Sequence, residues 1–404
     1  MGKADKIIGA VEGVTKKWAK QRRAEERHAS ALNNRAHVMT RRRSLTIKDA
    51  AWQVMEQAYM KASANGRLPA HARQIMYAAR PQILALVEHK DQLGDAYFTQ
   101  KLLPEYMEQN ACGWNVVYDA RGHFTEPHTK EEVALGTLHV RNYLTRIRNH
   151  KVEEPSFEVR EKRYPTLGPK NRYGAILFIE KEGFMPLFDE VKLAERYDLA
   201  IMSTKGMSVF AARALIDSLP GVPILVVHDF DKAGFSIVGT LRKSSRRGFR
   251  RNNNVVDIGL RLADIDGLVS EPAPPIENEH AASANLEANG ATPEEIEFLL
   301  YERVELNAFA SDELVAWIEG KLAEHGVKKV IPDDKTLADA YKRASEFAAV
   351  QKTIDEAVAE LHKTATAATV PDNLRPLIME RLKADPELTW DAAVAEIAEG
   401  EEAA

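Results

Sequence analysis

Two stretches, Tyr173-Gly-Ala-Ile-Leu-Phe-Ile-Glu180 and Val222-Pro-Ile-Leu-Val-Val-His-Asp-Phe-Asp231, decide the fold. Ala175 to Ile179 and Val222 to Val227 are continuous apolar runs, the pattern of strands covered on both faces, and each gives way abruptly to acid. Between them the sequence predicts a helical stretch from Met185 to Tyr197, a short strand Leu199-Ala-Ile-Met202, a turn at Lys205-Gly206 and a helix from Val209 to Leu219. Strands alternating with helices imply a parallel, doubly wound sheet, whose ligands sit at the carboxyl ends of its strands. Glu180, Asp229 and Asp231 all fall on that edge. Residues two apart on an extended backbone point the same way, so Asp229 and Asp231 are expected on one side with Phe230 on the other. An all-oxygen set without Cys or clustered His suits a hard ion such as Mg2+ or Mn2+. An isolated Asp-x-Asp is equally common in capped strand ends and solvated loops. A buried strand before it and a second acid at another strand end shift the balance toward a site.

The order apolar strand-Glu-Lys-x-Gly183, then Thr204-Lys205-Gly206 with Arg213 one helix on, then strand-Asp-x-Asp-x-x-Gly234, resembles the Toprim domain of the topoisomerase VI A subunit. The meiotic double-strand-break transesterase and the smaller stand-alone Mini-A proteins share that pattern. The resemblance implies divalent-metal binding by Glu180, Asp229 and Asp231, with Glu180 also in acid/base transfer. Lys232 stands where the family usually has Pro. Glu182-Gly183 offers a rival frame, and Glu180 is preferred because it directly follows the strand.

Upstream, Ala72-Arg73-Gln-Ile-Met-Tyr77 resembles the family's Arg-Asp-Ile-Tyr/Phe-Tyr element, whose final Tyr attacks a phosphodiester and becomes linked to a 5′-phosphate. The chemistry is sensible on its own terms. Arg73 and Tyr77 are four apart, on one helix face, where a guanidinium can grip a phosphate and favour phenolate. A Tyr beside an Arg on a helix is more often packing or a surface pair. The Toprim-like segment downstream favours the catalytic reading, so Tyr77, Arg73 and Glu180 are the expected catalytic residues.

Around this motif, Ile47 to Ala62 is amphipathic, Pro69 opens a helix through Leu84, and Tyr97 to Gln109 forms a third. Trp114 to Tyr118 and His123 to Thr125 read as a β-hairpin. Three helices and a hairpin are the parts of a winged-helix DNA-binding module, with Arg121 near the wing tip. The expected architecture is thus mixed α/β: a basic arm (1–45), a winged-helix domain (46–165), a Rossmann-like Toprim domain (166–335) and a helical acidic extension (336–404). Glu271-Pro-Ala-Pro-Pro275 reads as an extended spacer. Thr292-Pro-Glu-Glu295 reads as a capping box opening a helix. Arg303 to Phe309 resembles the family's Toprim border, with Glu305 a possible supporting acid.

The chain has 404 residues, 45% hydrophobic and 28% charged, with one cysteine, which is ordinary for a soluble protein of two or three domains. No apolar run approaches the length needed to span a bilayer and no signal-like N-terminus appears, so a cytoplasmic, nucleoid-associated home is expected. The formal net charge of −5 hides a polar distribution. Residues 1–50 hold thirteen Lys and Arg against five acids, and residues 351–404 five against twelve. Arg41-Arg42-Arg43, Arg121, Lys205, Arg246-Arg247 and Arg250-Arg251 are the expected contacts to phosphates of double-stranded DNA. A solvated helix or loop explains such runs equally well.

No phosphate-binding Gly-x-x-x-x-Gly-Lys-Ser/Thr loop occurs, so ATP hydrolysis would need a partner, as in topoisomerase VI with its B subunit. The family further implies a homodimer, Tyr of one protomer meeting the Toprim site of the other. Two other classes stay open: a Toprim nuclease that uses water, and a DNA-binding protein of a larger complex without catalysis.

Overall fold

The computed structural model of the protein describes residues 45–87, 93–119, 122–151, 157–159, 164–166, 171–203, 210–219, 221–242, 254–364 and 370–402. The expected helix at residues 7–31 falls outside them. So do all the expected DNA contacts: Arg41, Arg42, Arg43, Arg121, Lys205, Arg246, Arg247, Arg250 and Arg251.

The first layer is built on two packed helices. α1 (Ile47–Ala62) starts at Thr46, whose side chain caps Asp49 N–H while Asp49 reaches back, and it buries Ala51, Val54, Met55, Ala58 and Tyr59 at helical spacing. β1 (Ala70–His71) runs into α2 (Ala72–Leu86), capped by His71 and Gln74 in the same reciprocal way. Pro81 lies inside α2, four residues after Tyr77, and has no N–H to give the Tyr77 carbonyl. The third helical segment is α3 (Asp95–Tyr97), a π-turn (Phe98–Leu102) and α4 (Leu103–Gln109). Tyr59, Tyr106 and Trp114 stack over the joint, Tyr59 on Trp114 with ring centres 4.3 Å apart.

The expected hairpin is different in detail. β2 (Val116–Val117) pairs in parallel with β1, while β3 (His123–Thr125) pairs with β4 (Glu132–Ala134) ahead of α5 (Thr137–Arg148). Turn residues between two short apolar runs do not fix partners, and buried β2 finds its partner at the foot of the α2 helix.

The second layer is the parallel sheet. It comprises β5 (Ala175–Ile179), β6 (Leu199–Ser203), β7 (Ile224–Val227) and β8 (Val255–Gly259), in the order β6-β5-β7-β8. Between β5 and β6 the expected single helix is a 3-10 turn (Glu182–Phe184), α6 (Met185–Glu190) and α7 (Leu193–Tyr197). α8 (Phe210–Asp217) and α9 (Lys232–Arg242) follow β6 and β7.

Leu177, Ile179, Leu225 and Val227 face one apolar cluster, and Ile176, Phe178, Ile224 and Val226 the other. Both faces are dry, which is why the strands read as unbroken apolar runs. Each such side chain contributes about 1.5–3 kcal/mol on burial. The strand order reverses between β5 and β7, which places the switch-point crevice at Glu180 and Asp229.

Beyond the sheet, β9 (Glu271–Pro272), α10 (Glu279–Ala288), α11 (Pro293–Tyr301), β10 (Glu302–Arg303) and α12 (Ser311–Glu324) close the domain. Thr292 and Glu295 cap α11 reciprocally, as the sequence predicts. Glu271-Pro272 is more than a spacer, since it pairs with Glu302-Arg303 and buries Glu271. Gln74 Nε2 donates to the Phe309 carbonyl (2.9 Å) and Ser311 Oγ to the Pro69 carbonyl (2.7 Å), joining the two layers. Helices α13 (Asp334–Thr364), α14 (Leu374–Ala384) and α15 (Trp390–Glu402) form the C-terminal extension.

Candidate active site

At the carboxyl edge of the sheet, Glu180 follows β5 directly, and Asp229-Phe230-Asp231 follows β7 by way of His228. Phe230 turns into the core and its backbone exchanges hydrogen bonds with Val304 at 2.8 and 3.1 Å, which holds the acidic turn open at a fixed place. Asp229 is buried and accepts from Leu306 N–H at 2.8 Å. Asp231 accepts from Gly234 N–H at 2.7 Å. A Cβ on Gly234 would stand 2.3 Å from the Asp229 carbonyl and from His228 Nδ1, so this turn closes only over glycine.

His228 is buried beneath the turn, its Nδ1 at 2.7 Å from the Asp229 carbonyl and its Nε2 at 3.0 Å from Asp257 Oδ1. Both neighbours are acceptors, and Asp257 is in turn paired with Arg261 at 3.1 Å. Sequence reading passed over this support, whose only trace is a His wedged between an apolar strand and an acidic turn.

The electrostatics divide the site in two. Burial, then Asp229 and Asp231, push the Glu180 carboxyl up to about 7. Burial and Asp229 likewise raise Asp231. These carboxyls lie close enough to repel one another, and Glu180 joins no ion pair among the described residues. Asp229 is paired with Lys181 while Asp231, like Glu180, joins no ion pair among the described residues, and an all-oxygen set with that excess of negative charge fits a divalent ion. Among the described residues no three such side chains close on one point, and the cation nearest Asp229 is internal: Lys181 Nζ, 2.7 Å from Asp229 Oδ2 and 2.8 Å from Glu305 Oε2.

Glu305 is the hub that sequence reading underrated. It is buried, and it receives Lys181, Arg73 Nη1 (2.9 Å) and Asn307 Nδ2 (3.4 Å), with Arg303 at 3.6 Å. Burial acts to raise its pKa, but Lys181 and Arg73 reverse that and hold it at about 2. The helix carrying Arg73 and Tyr77 is thereby tied to the acidic edge.

Arg73 and Tyr77 do share a helix, but not in the relation the spacing suggests. Arg73 faces Glu305 and, at 3.3 Å, Asp95. Tyr77 is 2% exposed inside the cluster formed by α1, α2 and the π-turn. Its hydroxyl makes no well-formed hydrogen bond and is turned to the Glu271 carboxylate as its polar neighbour. Burial, then Glu305, Glu271 and Asp95, raise the phenol well above its ordinary pKa, opposite to the phenolate-favouring effect expected of Arg73. The reason is that the acids of the second layer pack against this helix and neutralise its arginines.

A doubly covered parallel sheet with acids after two neighbouring strands at its switch point is the arrangement of a Toprim-type fold. Residues 175–318 match the family model for the Toprim domain shared by Spo11 and the A subunit of topoisomerase 6. Over this segment the chain is similar to that family's Toprim domain. The match contains Glu180, Asp229, Asp231 and Glu305, and begins well after the Arg73–Tyr77 helix. No curated protein matches the chain. No helix of the described residues is long and apolar enough to cross a membrane.

Proposed function

We propose that the protein is a metal-dependent, homodimeric DNA-cleaving transesterase. In it Tyr77 is the nucleophile, Arg73 a phosphate contact, and Glu180, Asp229 and Asp231 the ligands of Mg2+ or Mn2+. The observation that carries the reading is Glu305, a residue of the Toprim segment that binds both Arg73 and Lys181 and so links the Tyr77 helix to the acidic edge. Bound metal supplies charge neutralisation at the phosphate oxygens.

The Tyr77 oxygen forms a bond to phosphorus as the bond to the 3′-oxygen breaks, giving a 5′-phosphotyrosyl end and a 3′-hydroxyl. The phenol gives up a proton and the 3′-oxygen gains one. Glu180, which the family resemblance also places in acid/base transfer, is the group assigned to exchange it. Double-stranded DNA is the substrate and the basic clusters its expected phosphate contacts. An ATPase partner, if the protein relaxes DNA, is a separate chain.

One observation favours a second reading, hydrolysis by water at the same acids: Tyr77 is buried and its acidity suppressed. End-labelled duplex incubated with Mg2+ and quenched in detergent separates the two. Label carried by the protein and lost in both Tyr77→Phe and Asp229→Asn is expected of the transesterase. Free cut DNA that persists in Tyr77→Phe sinks it and leaves the nuclease.

A further inference from the structure

Beside Tyr77 lies a second cluster that the sequence did not suggest. The Glu271 carboxylate of β9 is clasped between two guanidinium groups, Arg80 Nη1 of α2 on one oxygen and Arg303 Nη2 of β10 (2.9 Å) on the other. The Tyr77 hydroxyl lies alongside. Arg303 Nε is buried here without a partner, and the Tyr77 hydroxyl, which makes no well-formed hydrogen bond, is turned to the Glu271 carboxylate as its polar neighbour. A cavity of about 630 Å³ opens next to them, lined by Arg80, Asp95, Glu271 and Arg303 among others.

A purely structural ion pair between α2 and the β9–β10 ladder explains one arginine on one carboxylate. It does not explain the second arginine, an unused Nε donor and an adjoining cavity. A phosphodiester, like a carboxylate, offers two anionic oxygens that accept guanidinium forks from two directions, so it can take the place of Glu271 between the two arginines.

We propose that Arg80 and Arg303 form a seat for a DNA phosphate beside Tyr77, and that Glu271 occupies this seat as an internal stand-in until DNA displaces it. The inference takes its location from Tyr77 as nucleophile. It also accounts for how a buried Tyr comes to meet a phosphate: moving the short β9 strand uncovers the hydroxyl and both arginines together.

The test is metal-free binding of a short fluorescein-labelled duplex, in EDTA, across a series of salt concentrations. Glu271→Gln is expected to bind about tenfold tighter than wild type and to steepen the salt dependence by about one phosphate contact. The triple variant Glu271→Gln/Arg80→Gln/Arg303→Gln is expected to lose that gain. Glu279→Gln, which removes the same charge from an exposed site on α10, is the control. Equal gains in Glu279→Gln and Glu271→Gln, or a gain that survives in the triple variant, would overturn the proposal.

Should Glu271→Gln lose its cooperative melt, Glu271→Asp carries the test. One methylene shorter, it keeps the charge but spans the two arginines poorly, and a smaller gain that depends on Arg80 and Arg303 is expected. Covalent trapping of the same proteins in Mg2+ keeps the two readings apart. A gain through Arg80 and Arg303 with no protein ever attached to DNA leaves the seat standing and removes the transesterase. Attachment through Tyr77 with neither affinity nor yield altered in Glu271→Gln does the reverse.

Discussion

The acidic edge of the sheet and the junction between the two layers are both buried and both charged, yet they are neutralised in opposite ways. At the edge, Glu180 and Asp231 crowd Asp229 and their pKa values rise. At the junction, Glu305 and Glu271 are surrounded by Lys181, Arg73, Arg80 and Arg303, and Glu305 is held down at about 2. An unneutralised cluster gains from taking up a cation. A neutralised one is a clamp, costly to break by removing one partner and open to exchange with a ligand of the same charge. The same residue types therefore repel one another in one place and form a clamp in the other.

The largest effect expected from breaking this contrast is Asp229→Asn. It keeps the bond from Leu306 N–H but removes the charge shared by the edge and Lys181, and DNA cleavage should fall at least about a hundredfold. Calorimetry gives a readout without activity: Mg2+ should raise the melting temperature of wild type and leave Asp229→Asn unmoved. Equal stabilisation of both would remove Asp229 from the ligand set.

Next comes Glu305→Gln, which leaves Lys181 to Asp229 alone and Arg73 to Asp95 alone and should cost a few kcal/mol of stability at neutral pH by urea unfolding. The sign follows from linkage. The Glu305 pKa is lower in the folded chain (about 2) than its ordinary 4.5, so its contribution is present above pH 4.5 and is lost as pH falls toward 2. Wild type should therefore weaken across that window more steeply than Glu305→Gln.

Gly234→Ala should follow at about 1–3 kcal/mol, because its methyl meets backbone and a buried ring rather than a yielding side-chain tip. Loss of Mg2+ binding is expected with it, since the Asp231 turn must shift. Tyr77→Phe should have the smallest effect on folding, within about 1 kcal/mol, because the hydroxyl it removes makes no well-formed hydrogen bond and its neighbour Glu271 keeps both arginines. Abolished covalent attachment with an unchanged melt would sharpen the contrast, since only chemistry would have been lost.

Much of the edge was legible before the fold was seen. Dry strands such as Ala175 to Ile179 announce themselves by unbroken apolar runs, and an acid that follows such a strand in the chain must lie at its carboxyl end. The capping residues Thr46 and Thr292 were equally plain, as local hydrogen-bonding chemistry. The expectation failed where partners are distant in sequence. Val116-Val117 was paired with the nearest strand and in fact runs beside Ala70-His71. Glu271 read as part of a spacer because prolines surround it, although it anchors two arginines.

The sequence by itself thus determined the parallel sheet, the edge on which Glu180, Asp229 and Asp231 stand and the helix that carries Arg73 and Tyr77. Periodicity and chain order are local and need no partner to be read. Only the tertiary structure decided which charges meet: Arg73 with Glu305 rather than with Tyr77, Lys181 between Asp229 and Glu305, and Glu271 against the Tyr77 hydroxyl. The physical reason is that charge pairing depends on distance and burial. An arginine's spacing along a helix gives the face it occupies, while the layer packed against that face supplies the carboxylate it binds.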